Sequence, residues 1–161
     1  MGIEDGLIEA GVLMQVLDDD LDNDMCDYRF NRNGGDVIEN DPLIIDLRNE
    51  NDYNLGHIPS AIWIANAEDI IKAENIKKLK KELSIHIDNG GKNEIVAYCY
   101  TGHKSGLACG FLRAYGLNIK NLMYGYTLAW EGTDIPHIPY LEAPRENSQG
   151  VTVPYKNIPS T

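Results

Sequence analysis

The chain has 161 residues, of which 43% are hydrophobic and 24% are charged, and its formal net charge at pH 7 is −11. This size and composition are typical of one globular domain with a buried core rather than of a disordered or membrane chain. The acidity argues against a nucleic-acid or anionic-membrane partner, because both bind clustered lysine and arginine, and no segment approaches the roughly 18 apolar residues of a membrane-spanning helix.

The N-terminal segment is predicted to begin with a helix over residues 3–17. Its apolar residues are spaced close to three and four apart, as on one face of a helix. They are Ile3, Leu7, Ile8, Leu13, Met14 and Leu17. The acidic run at 18–24 and the stretch at 31–36 are typical of an exposed loop. The alternating acids resemble a calcium loop, but Met25 and Asn31 stand where such a loop needs glycine and glutamate, so a solvated surface is expected.

The charge is concentrated in the first third of the chain. Residues 1–52 hold 15 of the 25 acidic residues and three of the 14 basic ones, a net charge of −12 that leaves +1 on the remainder. An anionic substrate is therefore expected to bind in the later part of the chain.

Two short apolar runs and a helix are predicted in the middle of the chain. PLIIDL at 42–47 and AIWIA at 61–65 are continuous apolar runs between turn residues, which is typical of buried strands. Segment 67–83 has isoleucines and leucines on one face, acids early and bases late, and this pattern predicts an amphipathic helix.

The same alternation continues in the second half. EIVAYC at 94–99 predicts another buried strand, and the apolar-rich segment 105–115 predicts a helix that Gly116 can cap. NLMYG at 121–125 predicts a last strand, and TLAW at 127–130 begins a last short helix. Strands that alternate with helices indicate an α/β fold, with a parallel sheet that has helices on both faces.

Cys99 stands where such a fold places its ligands. It ends a predicted parallel strand, and a polar turn leads directly into a helix, so its thiol is expected at the carboxyl edge of the sheet. Gly102 lets the turn bend so that backbone N–H groups converge, and these dipoles and the helix dipole favour the reactive thiolate. A cysteine that ends an apolar strand is more often a small buried hydrophobe, but this turn favours a nucleophile.

The other two cysteines have no such setting. Cys109 lies in the middle of a predicted helix and is expected in the core, whereas Cys26 lies in the acidic loop, where neighbouring carboxylates raise a thiol pKa. Three cysteines without paired spacing predict neither a disulfide framework nor a zinc site.

Three pieces of the sequence have the order and spacing of one known family's motifs. Residues 44–64 contain an Asp and an Arg, then an aromatic residue and Gly-His-Ile-Pro. Residues 98–106, YCYTGHKSG, have a loop with Cys first, Gly fourth and a basic residue sixth, and residues 121–130 have a strand with a Gly-then-Trp ending. Together they resemble the rhodanese-like sulfurtransferases, in particular a single-domain rhodanese, over about residues 42–132.

The resemblance implies a five-stranded parallel sheet with helices on both faces. We assign the rhodanese-like domain to residues 35–134. Residues 1–34 are predicted to be an acidic helix and loop that pack on this domain, and residues 135–161 are predicted to be a Pro-rich extension.

The resemblance also implies a ping-pong sulfur transfer through Cys99. The thiolate would take a sulfane sulfur from a small anionic donor such as thiosulfate and hold it as a persulfide, and a thiol or cyanide acceptor would then remove it. No metal or organic cofactor is required. The oligomeric state is left open.

Further site residues follow from the resemblance. The loop residues expected to bind the substrate are Tyr100, Thr101, Gly102, His103, Lys104 and Ser105. Asp46 and Arg48 are expected near the base of this loop, although Asp46 serves equally well as a strand-end turn or helix cap. His57 is expected to fix a loop by hydrogen bonding, and Tyr53 and Trp130 are expected in the core.

The loop departs from the family at its second position, which is often arginine and here is Tyr100. Lys104 is then its one certain cation, since His103 can be neutral at pH 7. A low-molecular-weight persulfide or polysulfide is therefore as compatible with this loop as thiosulfate is.

Two other functions are weighed against sulfur transfer. A cysteine phosphatase or arsenate reductase needs an arginine six positions after its cysteine, and that position here is Ser105. A rhodanese-like binding or regulatory module often lacks the cysteine, which this chain keeps. A free reactive thiol favours the cytoplasm and no secretory signal is visible, although export with a removed signal peptide is left open.

Overall fold

The computed structural model of the chain describes residues 6–19 and 37–131. Its strands form one parallel sheet in the order β1-β5-β4-β2-β3. The strands are β1 (Leu7–Ile8), β2 (Leu43–Asp46), β3 (Ile62–Trp63), β4 (Ile95–Tyr98) and β5 (Ile119–Leu122). The predicted α/β fold with a five-stranded parallel sheet is confirmed.

Helices cover both faces of this sheet. They are α1 (Ala10–Leu17), α2 (Glu50–Leu55), α3 (Ala73–Asp88), α4 (His103–Ala114), a 3₁₀ turn at Ile38–Asn40 and a π-helical segment at Gly125–Trp130. Side chains alternate across each strand, so Ile45 and Ala97 pack against α3 and α4, whereas Ile44 and Val96 pack against α1 and the π-helical segment. β2 and β4 are buried on both sides, which explains their continuous apolar sequences.

The N-terminal prediction is wrong in one respect. Leu7 and Ile8 form an edge strand that pairs with Asn121 and Leu122 of β5, and the helix covers only Ala10–Leu17. Leu7 and Ile8 fit helical spacing, but β5 offers their backbone a ladder of hydrogen bonds that a sequence pattern does not reveal.

The helix predicted over 67–83 begins later and ends later. The Asn66 side chain accepts a hydrogen bond from the Asp69 N–H at 2.9 Å, so this stretch forms turns before α3 starts at Ala73. The helix then continues to Asp88, because His86 is buried and bonds to the Asp41 carbonyl at 2.8 Å.

The last strand is also shifted from its prediction over 121–125. β5 starts at Ile119, and it ends before Tyr124 and Gly125, which have φ angles of +63° and +66°. Left-handed residues cannot continue a strand, so the chain turns there into the π-helical segment.

Cys26, most of the acidic loop and the Pro-rich extension lie outside the described residues. Within 6–19 and 37–131, every helix is too short or too polar to cross a bilayer.

Candidate active site

Cys99 follows the last residue of β4, at the carboxyl edge of the sheet. It is only 4% exposed, yet it lies in the wall of a pocket of about 260 Å³. The residues that line that pocket lie after β2, before α3, after β4 and at the start of α4. They include Leu47, Asn49, Asn66, Glu68, Tyr100, Thr101, His103 and Lys104. A ligand that enters this pocket can contact Cys99 in its wall.

Three hydrogen bonds point at the Cys99 sulfur. The Gly102 N–H donates to Sγ at 3.2 Å, and Ser105 donates its N–H at 3.4 Å and its hydroxyl at 3.2 Å. Gly102 has a φ of +93°, which turns the backbone so that these groups converge at the start of α4. Burial raises the pKa of the Cys99 thiol, but these hydrogen bonds outweigh it and lower the pKa overall. The geometry therefore favours a thiolate.

The Ser105 hydroxyl is held by a residue that the sequence analysis missed. The same hydroxyl also donates to the carbonyl oxygen of Asn121 in β5, 2.5 Å from Ser105 Oγ, so its single proton is shared between Asn121 and Sγ, and the Asn121 amide nitrogen donates to the Gly102 carbonyl at 2.9 Å. This second bond fixes the amide so that its oxygen faces the hydroxyl. Asn121 is a polar residue that is 6% exposed in β5, but Lys120 lies in the same strand, so the sequence carried no distinct signal for this contact.

Ser105→Ala is expected to raise the pKa of the Cys99 thiol, because the variant loses a donor to the thiolate while burial is unchanged. The pH at which Cys99 alkylation by iodoacetamide reaches half its maximal rate should then be higher than in the wild type. Below that pH, the variant should react several-fold more slowly than the wild type. Peptide-resolved mass spectrometry measures this profile.

Ser84→Ala is the matched control, since Ser84 is exposed on α3 and loses the same hydroxyl. Its profile should superimpose on the wild type. An unshifted profile in Ser105→Ala would show that the hydroxyl does not stabilise the thiolate.

The side chains of the loop bind neighbours around the pocket mouth. The Tyr100 hydroxyl donates a short hydrogen bond to the Asp52 carboxylate, and Lys104 forms a 2.5 Å ion pair with Glu68. Thr101 and His103 also lie in the pocket wall. The Lys104 cation that the sequence predicted near Cys99 is therefore already paired with a carboxylate.

Asp46 and Arg48 form a buried pair on the neighbouring strand end. The Arg48 guanidinium donates to both Asp46 carboxylate oxygens, at 2.8–3.1 Å, and to the Gly56 carbonyl at 2.7 Å. The Tyr98 hydroxyl donates to the same carboxylate at 2.8 Å. Arg48 also lies 3.9 Å over the Tyr126 ring. Asp46 thus accepts hydrogen bonds from Arg48, just beyond its own strand, and from Tyr98 of β4, which is the residue that precedes Cys99.

His57 is fully buried and stacks on Tyr53, with 3.9 Å between ring centroids. Its Nδ1 lies 2.8 Å from the Tyr53 carbonyl, which can only accept, so Nδ1 carries the proton. Within the pocket over Cys99, His57 contributes no part of the wall. Trp130 is completely buried in the core beneath α1.

Cys109 differs from Cys99 in its surroundings and in the direction of its pKa shift. It is 1% exposed in the apolar cluster under α3 and α4, and burial raises the pKa of its thiol to about 12. Within the described ranges, no three His, Cys, Asp or Glu side chains cluster as metal ligands do.

The π-helical segment clamps the Cys99 loop from its other side. The Tyr126 N–H donates to the Cys99 carbonyl and the Thr127 N–H to the Tyr100 carbonyl, both at 2.8 Å. Gly125 precedes these donors and leaves no room for a side chain, because a Cβ there would lie 2.6 Å from the Cys99 carbonyl oxygen. The closing segment therefore positions the backbone of Cys99.

Solved structures share this arrangement of strands and helices. A rhodanese-like domain from Anabaena sp. is 20% identical with a TM-score of 0.55, and the match covers 88% of this chain and 79% of that one. A yeast protein tyrosine phosphatase of the rhodanese family is 15% identical with a TM-score of 0.53, over 80% of this chain and 86% of that one. At these identities the likeness shows the fold.

The family is shown by the sequence itself. No curated protein matches the chain. The family model of the rhodanese-like domain matches residues 32–132, which is more than half of the chain and contains β2 to β5, the Cys99 loop and its clamp. The chain therefore belongs to the rhodanese-like domain family.

Proposed function

We propose that the chain is a sulfurtransferase that carries sulfane sulfur as a persulfide on Cys99. One observation carries the proposal: the Cys99 sulfur accepts three hydrogen bonds from Gly102 and Ser105 while it lies in the wall of a pocket. A merely structural cysteine needs neither the donors nor the pocket, as Cys109 illustrates.

The first half of the reaction charges the enzyme. The Cys99 thiolate attacks the outer sulfur of a donor, a new sulfur–sulfur bond forms, and the bond between that sulfur and the rest of the donor breaks. With thiosulfate, the leaving group is sulfite, which departs with the bonding electron pair. The product is the Cys99 persulfide anion, so the total charge is unchanged.

The second half of the reaction removes the terminal sulfur from the Cys99 persulfide. An acceptor thiolate or cyanide attacks the terminal sulfur, and Cys99 leaves as the thiolate that the Gly102 and Ser105 donors stabilise. The same hydrogen bonds therefore serve both half-reactions, because the Cys99 sulfur is an anion before the first and after the second. Cys99 supplies an electron pair when it attacks the donor and regains one when it leaves the acceptor, so the cycle has no net redox change at the enzyme and needs no resident cofactor.

A phosphatase is a poorer fit to this loop. Ser105 occupies the position of the arginine that grips an oxyanion, and its hydroxyl is fully buried between Sγ and Asn121. The nearby Lys104 is paired with Glu68, so its charge is shared.

Intact-mass spectrometry tests the proposal. Incubation with thiosulfate or with an organic sulfane donor is expected to add one sulfur atom to the wild-type chain, and cyanide should remove it. Cys99→Ser should abolish the gain. If the wild type gains no sulfur with any donor, the result would favour a binding module. Turnover of an aryl phosphate would instead favour a phosphatase.

Two matched variants locate the sulfur. Cys109→Ser removes a buried thiol with a raised pKa, and Cys26→Ser removes the third cysteine. Both should load as the wild type does. A gain that survives Cys99→Ser but not Cys26→Ser would overturn the assignment.

A further inference from the structure

A second concave surface adjoins the Cys99 pocket. It is a groove of about 400 Å³ between α4 and the turns that precede α3. Glu68, His103 and Lys104 belong to the walls of both spaces. A molecule that reaches Cys99 can therefore extend into the groove without leaving the protein surface.

The groove is apolar. Leu107 and Phe111 project from α4 one turn apart, and Ile71 faces them from the turns before α3. Leu107 is 69% exposed and Phe111 is 42% exposed. Exposed apolar side chains that line a concave surface of this volume are typical of a small-ligand site, where a few polar groups orient the ligand and apolar walls bind it.

The polar groups at the shared wall disfavour a small dianion. Lys104 is bonded to Glu68 at 2.5 Å, and this hydrogen bond lowers the pKa of the Glu68 carboxyl, so it is ionised at neutral pH. A dianion at Cys99 therefore meets a carboxylate as well as an ammonium group. A donor with one negative charge and an apolar substituent meets less repulsion and gains contact with the groove.

We propose that the groove binds the apolar organic group of a monoanionic sulfane donor, such as an organic thiosulfonate or persulfide, whose terminal sulfur is transferred to Cys99. This inference rests on the proposed sulfurtransferase function. With a thiosulfonate, the Cys99 thiolate bonds to the terminal sulfur, the bond between the two donor sulfurs breaks, and the sulfinate leaves with the electron pair.

Rates of persulfide loading on the full chain test this proposal. The probes are benzenethiosulfonate and methanethiosulfonate, which carry the same reacting group and charge, and thiosulfate. The wild type is expected to load fastest from benzenethiosulfonate. Phe111→Ala and Leu107→Ala should lower the rate from benzenethiosulfonate about tenfold, as expected for lost apolar contacts, and change the other two rates less than about twofold.

Leu55→Ala is the matched control. Leu55 is 70% exposed at the end of α2 and belongs to neither wall, so it loses the same side chain at the same exposure. It should load like the wild type from all three donors. Two results would contradict the proposal that the groove binds the donor's apolar group. One is an equal loss of loading rate for all three donors in the groove variants, and the other is equal loading rates from the phenyl and methyl donors in the wild type. If no donor loads wild-type Cys99, the sulfurtransferase proposal itself fails.

Discussion

Arg48→Met is expected to lower the free energy of unfolding by about 3–5 kcal/mol, because it leaves the Asp46 carboxylate buried without its counter-charge. Asp46 is completely buried and Arg48 is 5% exposed, so water cannot replace the guanidinium. The variant also loses the donor to the Gly56 carbonyl and the contact with the Tyr126 ring. Since domains are stable by only about 5–15 kcal/mol, this loss is a large fraction of the total. Urea unfolding followed by circular dichroism measures it.

Two comparisons isolate the buried charge as the cause. Lys72→Met breaks the exposed pair of Lys72 with Asp69 and should leave the free energy of unfolding nearly unchanged. Adding Asp46→Asn to Arg48→Met removes the orphaned charge and should recover part of the loss. A cost for Arg48→Met as small as that of Lys72→Met would contradict a structural role for the pair.

Gly125→Ala is expected to lose most of the persulfide loading and about 1–3 kcal/mol or more of stability, because a side chain at its φ of +66° is strained. The added Cβ would also lie 2.6–2.8 Å from the carbonyl oxygens of Cys99 and Tyr100 and from the Gly102 nitrogen. Movement of the loop would displace the Gly102 and Ser105 donors from Sγ, and movement of the clamp would break its hydrogen bonds to the Cys99 and Tyr100 carbonyls. Intact-mass loading and urea unfolding are measured on the same preparation.

Gly110→Ala is the control for this glycine. It lies inside α4, and its Cβ would meet no described atom within 4 Å. Alanine there should stabilise the chain by about 0.5–1 kcal/mol through helix propensity. Loading in Gly110→Ala should match the wild type. Normal loading in Gly125→Ala would show that the position of Cys99 does not depend on the clamp.

The parts of the fold that the sequence predicted are those with local signals. β2 and β4 are continuous apolar runs, and α4 follows a glycine-containing turn. These three elements can therefore be predicted without knowledge of distant contacts. β1 was missed because its two residues pair with β5, at the other end of the described chain. A pattern read along the chain does not contain that pairing.

The candidate site divides in the same way. Cys99, Gly102 and Ser105 lie within seven residues, so their proximity follows from one turn and one helix start. Asn121 and Glu68 belong to other elements, and their contacts with Ser105 and Lys104 exist only after the sheet and helices assemble. Neither the hydrogen bond to Asn121 nor the ion pair to Glu68 had a local signal in the sequence.

The strand β1 also bears on which segment can fold by itself. The family match starts at residue 32, but β1 and α1 precede it and supply an edge of the sheet and four fully buried apolar side chains. Those side chains are Ala10, Leu13, Met14 and Leu17. Without them, β5 would present an unpaired edge above uncovered hydrophobic surface, a combination that invites pairing with another molecule. We therefore expect the segment that folds by itself to begin before residue 32, and we expect β1 to limit association of chains through the β5 edge.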